Sequence, residues 1–323
     1  MNPIQEFKAL LHDSHIENVL IIPHNMPDGD TLGSCIGLYF LMKHFNKKGY
    51  IVLNDDIPSN LSFLLEPPIR IFKSHEVESV KFHMGIAVDC GETKLFEDRI
   101  ELFKSTGITV NIDHHKTNSY FASVNIVEVE ASSTGELVFL ISDLYGFSFD
   151  AVAAQALYAA IVTDTGSFRY SNTRPETFSV CRTLKETGFD FNRLNVEIFQ
   201  NKPLEKVLLL NRVFETLKLY SEGRCAVIKL TRQMMEELNM STYDTDGIVE
   251  FIRDISGVEV VVFIRHLYDL AHKVSMRSKY ELDVSAIAQQ LGGGGHTKAA
   301  GFKMDAEAES IEAIVVKAIE GAI

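Results

Sequence analysis

The segment FHMGIAVDCGETKLFEDRIELFKSTGITVNID, residues 82–113, decides the fold. It opens with a compact apolar run, FHMGIAVD, that stops on Asp89, and closes with a second, GITVNID, that stops on Asp113. Short continuous apolar runs are the pattern of parallel strands buried on both faces. Upstream, NVLIIP at 18–23 stops at His24, and IVLN at 51–54 reads as a further strand. Helical patterns alternate with these runs. Ile4, Phe7, Leu10 and Leu11 share one face of a helix over 3–12. Residues 31–45 follow an Asp-Gly-Asp turn, 133–145 form another helix, and an Ala-rich helix over 150–163 runs up to Asp164. This alternation predicts an α/β fold with a mostly parallel sheet flanked by helices. In such sheets ligands collect outside the carboxyl ends of the strands.

The helical pattern continues over 176–220, and from about 214 the pattern changes. FETLKLY, RCAVIKL, GVEVVVFIRHL and AHKVSMRSK read as strands of a second sheet, with helices at 231–239, 246–255, 283–290 and 306–320. The expected organisation is a first domain over 1–190, a helical connector over 191–213 and a smaller α+β domain over 214–323.

The 323 residues are 46% apolar and 23% charged, which suffices for packed cores and excludes a mainly disordered chain. A net charge of −13 disfavours long duplex nucleic acid, whose affinity comes from cations neutralising phosphates. Small phosphorylated substrates remain open. The cysteines Cys35, Cys90, Cys181 and Cys225 form no C-x-x-C pair and read as buried free thiols, which fits a reducing cytoplasm. No apolar run approaches the ~18 residues that a membrane helix needs, and the N-terminus has no signal-peptide pattern.

The chemistry is concentrated in four clusters: HNMPDGD at 24–30, VDCG at 88–91, IDHH at 112–115 and VTDTGSF at 162–168. Three lie where a strand terminates, so they would converge on one sheet edge. Gly29 allows Asp28 and Asp30 to turn toward a common centre. Asp89 could bridge two cations. Asp113-His114-His115 offers an imidazole ligand, an imidazole for substrate and a carboxylate able to orient a ring. Taken singly, each Asp has a competing role as a turn or helix cap, and Asp28 or Asp30 could cap the helix at 31–45. Together, oxygen-rich donors without thiolate suit two hard divalent ions, Mn²⁺ before Zn²⁺, able to clamp a phosphoryl group.

The order H-x-x-x-D-x-D, a lone Asp, DHH and a further lone Asp resembles the DHH phosphoesterase superfamily, over nearly the whole chain. LGGGGHTKAAGF at 291–302 looks like the signature of the DHHA1 domain that accompanies one branch of it. The resemblance implies one metal at His24, Asp28 and Asp89, and a second at Asp30, Asp89, His114 and Asp164, with Asp89 shared. It implies that His115 contacts the scissile phosphate and that Asp113 supports the imidazoles. The implied cofactor is two Mn²⁺, with Mg²⁺ or Co²⁺ as substitutes. Thr31 stands where Ala is common in the family and is expected to be harmless.

Consecutive glycines can present N–H groups to an anion, so Gly293, Gly294 and Gly295, with His296 and Arg277, form a candidate phosphate grip. Gly292 reads instead as a helix C-cap, and Arg277 has a competing role as a surface cation. In TDTGSFRYSNT at 163–173, Arg169 could meet a phosphate and Phe168 or Tyr170 could stack on a base, core packing being the rival role for Phe168. Layout is most similar to the NrnA-type oligoribonucleases, which act on very short RNA and on 3′-phosphoadenosine 5′-phosphate (pAp). The implied partners are therefore short RNA or small nucleotides, with no membrane, and the exposed apolar faces of the first domain would suit a homodimer. Cleavage of linear pApA is the alternative. A RecJ-like single-strand exonuclease fits less well, because the chain lacks room for an added nucleic-acid-binding domain. A binding module without turnover would be expected to lack some ligand residues, and all are present.

Overall fold

The computed structural model describes residues 2–238, 245 and 247–323. These fall into two units that divide after Asn201. In the first, β1 (Asn18–Pro23), β2 (Lys48–Val52), β3 (Ile71–Phe72), β4 (Met84–Val88), β5 (Ile108–Asp113) and β6 (Val124–Val127) form one sheet in the order β3-β2-β1-β4-β5-β6. Every strand pair in it is parallel. The short edge strands β3 and β6 went unread in the sequence, since two to four residues carry no usable period.

Strand order reverses between β1 and β4. The chain leaves β1 toward one edge through β2 and β3, and leaves β4 toward the other through β5 and β6. Loops at such a reversal diverge and leave a crevice at the carboxyl ends of the two strands. His24 follows β1 and Asp89 follows β4.

The helices are α1 (Pro3–His12), α2 (Gly29–His44), α3 (Ile100–Lys104), α4 (Thr134–Leu144), α5 (Ala151–Asp164), α6 (Pro175–Glu186) and α7 (Phe191–Asn195). Asp28, Ser133 and Asp150 cap α2, α4 and α5 by accepting backbone N–H bonds from Thr31, Glu136 and Ala153. Helices α2 and α5 pack antiparallel and very close. A Cβ at Gly29 would stand 2.4 Å from Thr163 Oγ1, one at Gly33 2.2 Å from Ala156 O, and one at Gly37 2.6 Å from Leu157 Cδ2. Glycine every fourth residue on α2 thus lets the two helices approach closely. The packing brings the start of α2, with Asp30, beside the end of α5, with Asp164.

The second unit contains α8 (Leu204–Phe214), β7 (Lys218–Tyr220), β8 (Cys225–Leu230), α9 (Arg232–Glu237), α10 (Ile248–Arg253), β9 (Val260–Tyr268), β10 (Ala271–Ser278), α11 (Val284–Gln290), β11 (Gly294–His296), β12 (Ala299–Asp305) and α12 (Ala308–Glu320). Its sheet runs β11-β12-β10-β9-β8-β7, with β8–β9 parallel and the other pairs antiparallel. Residues 239 and 246, in the expected helices at 231–239 and 246–255, lie outside the described residues.

The glycine run also has structural reasons. Gly292 sits at φ +82 after α11 and acts as the C-cap expected. Gly293 N donates to Ala288 O, and a Cβ there would be 2.2 Å from Gly301 O. Its amide is therefore engaged and does not belong to an anion cradle. Gly295, at φ +141, lies against Ala299 O and Ala300. Gly294 and Gly295 belong to β11.

All four cysteines are free and buried. Among the described residues no helix is long and apolar enough to cross a membrane.

Gly33→Ala tests the α2–α5 packing. Helix propensity favours Ala by ~1 kcal/mol, but the new methyl collides with a backbone carbonyl and the helices must part. A net loss of about 1–3 kcal/mol is expected, read from urea unfolding, together with weaker divalent-cation binding because Asp30 and Asp164 separate.

Candidate metal centre

The crevice gathers side chains from residues 24 to 164. His24 Nε2 lies 3.7 Å from Asp89 Oδ2 and 3.9 Å from Asp28 Oδ1. His114 Nε2 lies 3.7 Å from Asp30 Oδ2, 3.8 Å from Asp89 Oδ1 and 3.8 Å from Asp164 Oδ2. Three groups have donor atoms within 4.8 Å of one another: His24, Asp28 and Asp89; Asp30, His114 and Asp164; and Asp89, His114 and His115. Asp89 thus turns one oxygen toward His24 and the other toward His114.

The rings are oriented by acceptors behind them. His24 Nδ1 donates to Asn25 O at 2.8 Å and His114 Nδ1 to Ala131 O at 3.2 Å. A carbonyl only accepts, so each Nδ1 carries a hydrogen, and Nε2 is the ring nitrogen turned toward the carboxylates. His115 Nδ1 lies 2.6 Å from Asp113 Oδ1 and 3.6 Å from Asp89 Oδ1. Asp113 is fully buried and accepts from Asn118 Nδ2 at 2.5 Å on its other oxygen.

The carboxylates are themselves held. Asp30 accepts the amides of Thr134 and Gly135, both at 2.8 Å, at the positive N-terminus of α4, and the hydroxyl of Ser34 at 3.1 Å. Asp89 has left-handed backbone, φ +59, which costs ~1–2 kcal/mol in a non-glycine residue. It accepts Thr31 Oγ1 at 2.7 Å on one oxygen and Thr134 Oγ1 at 2.8 Å on the other. Thr31 thus helps to fix the Asp89 carboxylate, a contact that the expectation of a harmless residue did not include. Asp28 caps α2 and also faces His24. Asn172 Nδ2 donates to Asp164 Oδ2 at 3.2 Å.

So many negative charges shift one another. Burial, then Asp89, Asp164 and Asp28, push the Asp30 carboxyl well above the carboxylate range. Burial pushes Asp164 up to about 7; Asp89 and Asp28 add to the rise and His114 opposes it. Burial would also raise Asp89, but the imidazoles of His115, His114 and His24 outweigh it and hold Asp89 at about 2. Burial lowers His115, yet its bond to Asp113 and the charges of Asp89 and Asp113 raise it to about 9. Buried like charges facing one point are costly unless a cation neutralises them. The donors thus fit hard divalent ions, with oxygen dominant and no thiolate in the set.

Two models of known families match the chain: the N-terminal domain of the DHH family over residues 18–161 and the DHHA1 domain over residues 224–323. The "Bifunctional oligoribonuclease and PAP phosphatase NrnA" of Thermus thermophilus is 34% identical over 88% of this chain and 83% of its own. The chain belongs to the DHH phosphoesterase family. It is a hydrolase with a DHH domain followed by a DHHA1 domain, and NrnA-type proteins are among its relatives. The protein of the same name from Bacillus subtilis is 26% identical over 88% of each chain. The same fold occurs in an exopolyphosphatase-related protein from Bacteroides fragilis, with a TM-score of 0.90, 23% identity and coverage of 99% of this chain and 96% of the other.

The remaining candidates are less concentrated. Arg169 is exposed and its Nε donates to Gly166 O at 2.7 Å. Phe168 packs on Phe178 and Tyr158, in the core role that rivalled base stacking. Arg277 Nε lies 3.6 Å from Glu250 Oε1. Ala299 pairs with both Arg277 and His296, which places those three backbones on one row of the second sheet; the side chain of His296 lies outside the described residues. Sequence reasoning missed Thr134, Gly135, Asn118 and Asn172. The S-x-x-E spacing of Ser133-Thr134-Gly135-Glu136 was the available signal for the first two, since it marks a helix N-terminus.

Asp113→Asn should bring the His115 titration down from about 9 toward the ordinary 6.5, read by imidazole NMR on chelator-treated protein. The sign follows from a raised histidine: its pairing stabilises the fold fully below pH 6.5, and that share is lost as pH rises through about 9. The variant's stability should therefore vary less across this window.

Proposed function

We propose that this chain is a manganese-dependent phosphoesterase that hydrolyses very short oligoribonucleotides to mononucleotides and removes the 3′-phosphate of pAp. The observation that carries the reading is Asp89, whose two oxygens face separate imidazoles within two ligand groups. His24, Asp28 and Asp89 would hold one ion; Asp30, Asp89, His114 and Asp164 would hold the other. When bound, such a pair polarises a phosphoryl oxygen and acidifies a water.

The chain's own groups supply the rest. Thr31 and Thr134 keep the Asp89 carboxylate in one plane. Asp113 holds the His115 ring through Nδ1, so that Nε2–H is the donor assigned to the leaving oxygen. The raised titration of His115 keeps the ring protonated at neutral pH for that task. Burial of Asp30 and Asp89 excludes bulk water and strengthens each charge interaction. In the second unit, Arg277, Gly294, Gly295 and His296 are assigned to a substrate phosphate, and Arg169 to a further phosphate contact. A net charge of −13 opposes long polyanions and suits short ones in a cytoplasmic setting.

Product analysis on a 5′-labelled RNA trimer with Mn²⁺ tests the reading, with pAp, pApA and single-stranded DNA alongside. The wild-type chain should release mononucleotides from the trimer and phosphate from pAp. Asp89→Asn, folded by circular dichroism, should lose at least about a thousandfold in rate, and Arg277→Ala should mainly raise KM. Unchanged turnover in the Asp89 variant, or an inert wild-type enzyme, overturns the reading. Turnover of pApA far above the others moves the substrate to linear dinucleotides.

A further inference from the structure

We propose that Arg99 is a positioning residue for the His24 imidazole, acting through Asn25. The inference rests on the reading of His24, Asp28 and Asp89 as a cation site and adds the device that aims its imidazole.

Arg99 follows β4 in the crossover to β5, and its side chain is 0% exposed. Nη1 donates to Val52 O, the last residue of β2, at 2.8 Å. Nη2 donates to Asn25 Oδ1. Nε lies 3.2 Å from Asp98 Oδ1, the carboxylate beside it. The same crossover holds residue 25 a second time, because Asn25 N donates to Leu95 O at 2.7 Å. Asn25 is thus fixed at its side chain and its amide, and its carbonyl accepts from His24 Nδ1 at 2.8 Å. That last bond selects the tautomer with its lone pair on Nε2 and turns Nε2 toward Asp89 Oδ2 and Asp28 Oδ1.

Burying a guanidinium is unfavourable unless its donors are satisfied, and an apolar side chain of similar volume would fill the space at lower cost. Three directed donors, spent on Val52, Asn25 and Asp98, give the arginine a purpose that packing does not. The ends of β1 and β2 and the crossover after β4 converge on this one side chain. Partners behind a ligating histidine set ring orientation and basicity, and their loss weakens cation binding about tenfold to a hundredfold.

The test titrates metal-stripped protein with Mn²⁺ by calorimetry and observes His24 by ¹⁵N NMR of the cation-free chain. The wild-type protein should bind two ions and show His24 with hydrogen on Nδ1. Arg99→Met should raise the Kd of one step about tenfold or more, leave the other within about twofold and mix the His24 tautomers. Arg99→Lys should fall between. Asn25→Ala, which keeps Arg99 and the carbonyl but removes their connection, should reproduce the selective loss if Arg99→Met does not fold. Phe96→Leu, a core change in the same crossover, controls for lowered stability and should leave both steps and the tautomer unchanged. Equal weakening of both steps, a Phe96→Leu effect of the same size, or an unaltered His24 spectrum in the Arg99 and Asn25 variants overturns the inference. A wild-type chain that binds no Mn²⁺ fails the parent reading instead.

Discussion

Electrostatic repulsion among the carboxylates of Asp28, Asp30, Asp89 and Asp164 is the constraint that the first unit is built to withstand. The charges meet in a crevice that buries Asp30 and Asp89, and burial, with their mutual repulsion added, lifts the titration of Asp30 and Asp164. What keeps them together is a set of donors aimed at each one. Two amides and a hydroxyl hold Asp30, two hydroxyls and three nearby imidazoles hold Asp89, and an asparagine holds Asp164. Hydrogen bonds to an ionised acceptor are roughly twice as strong as neutral ones. They offset part of the repulsion and leave the remainder for cations to neutralise.

The sheet and helices can be understood as the means of bringing these groups to one place. Reversal of strand order between β1 and β4 opens the crevice, and the strand ends deliver His24, Asp89 and the 113–115 triplet to it. Asp30 and Asp164 arrive differently, on helices. Their approach depends on a backbone-to-backbone contact that glycine alone permits at Gly33. The fold therefore has two kinds of tolerance. Apolar strand residues can be exchanged for others of similar volume, whereas the α2–α5 contact accepts no added atom without movement.

Much of this was legible in the chain. Apolar runs that stop on His24, Asp89 and Asp113 revealed both the parallel sheet and the edge where its chemistry collects, because strand burial and strand termination are local properties. The hydrophobic periods also revealed the α+β second unit. Partners distant in sequence could not be read the same way. Thr134 meets Asp89 across 45 residues, and Arg99 meets Asn25 across 74; neither residue type nor spacing announces such a bond. The contact of Thr31 with Asp89, 58 residues away, was equally invisible. The glycine run misled for a related reason. Gly293 and Gly295 answer to carbonyls of β12 that approach too closely for a Cβ, a demand visible only once the strand is in place.

The donors of the centre are drawn from positions 24 to 164, so no single strand, helix or loop of the first unit holds a complete set. Parallel pairing over such separations forms late, after the chain has paid the entropy of closing long loops. A nascent chain emerging from the ribosome would lack the Asp164 donor until residue 164 had been made and α5 had docked. The hydrolytic centre would then stay incomplete until the first unit has folded as a whole, and a proteolytic fragment lacking one of these strands or helices would be equally inert.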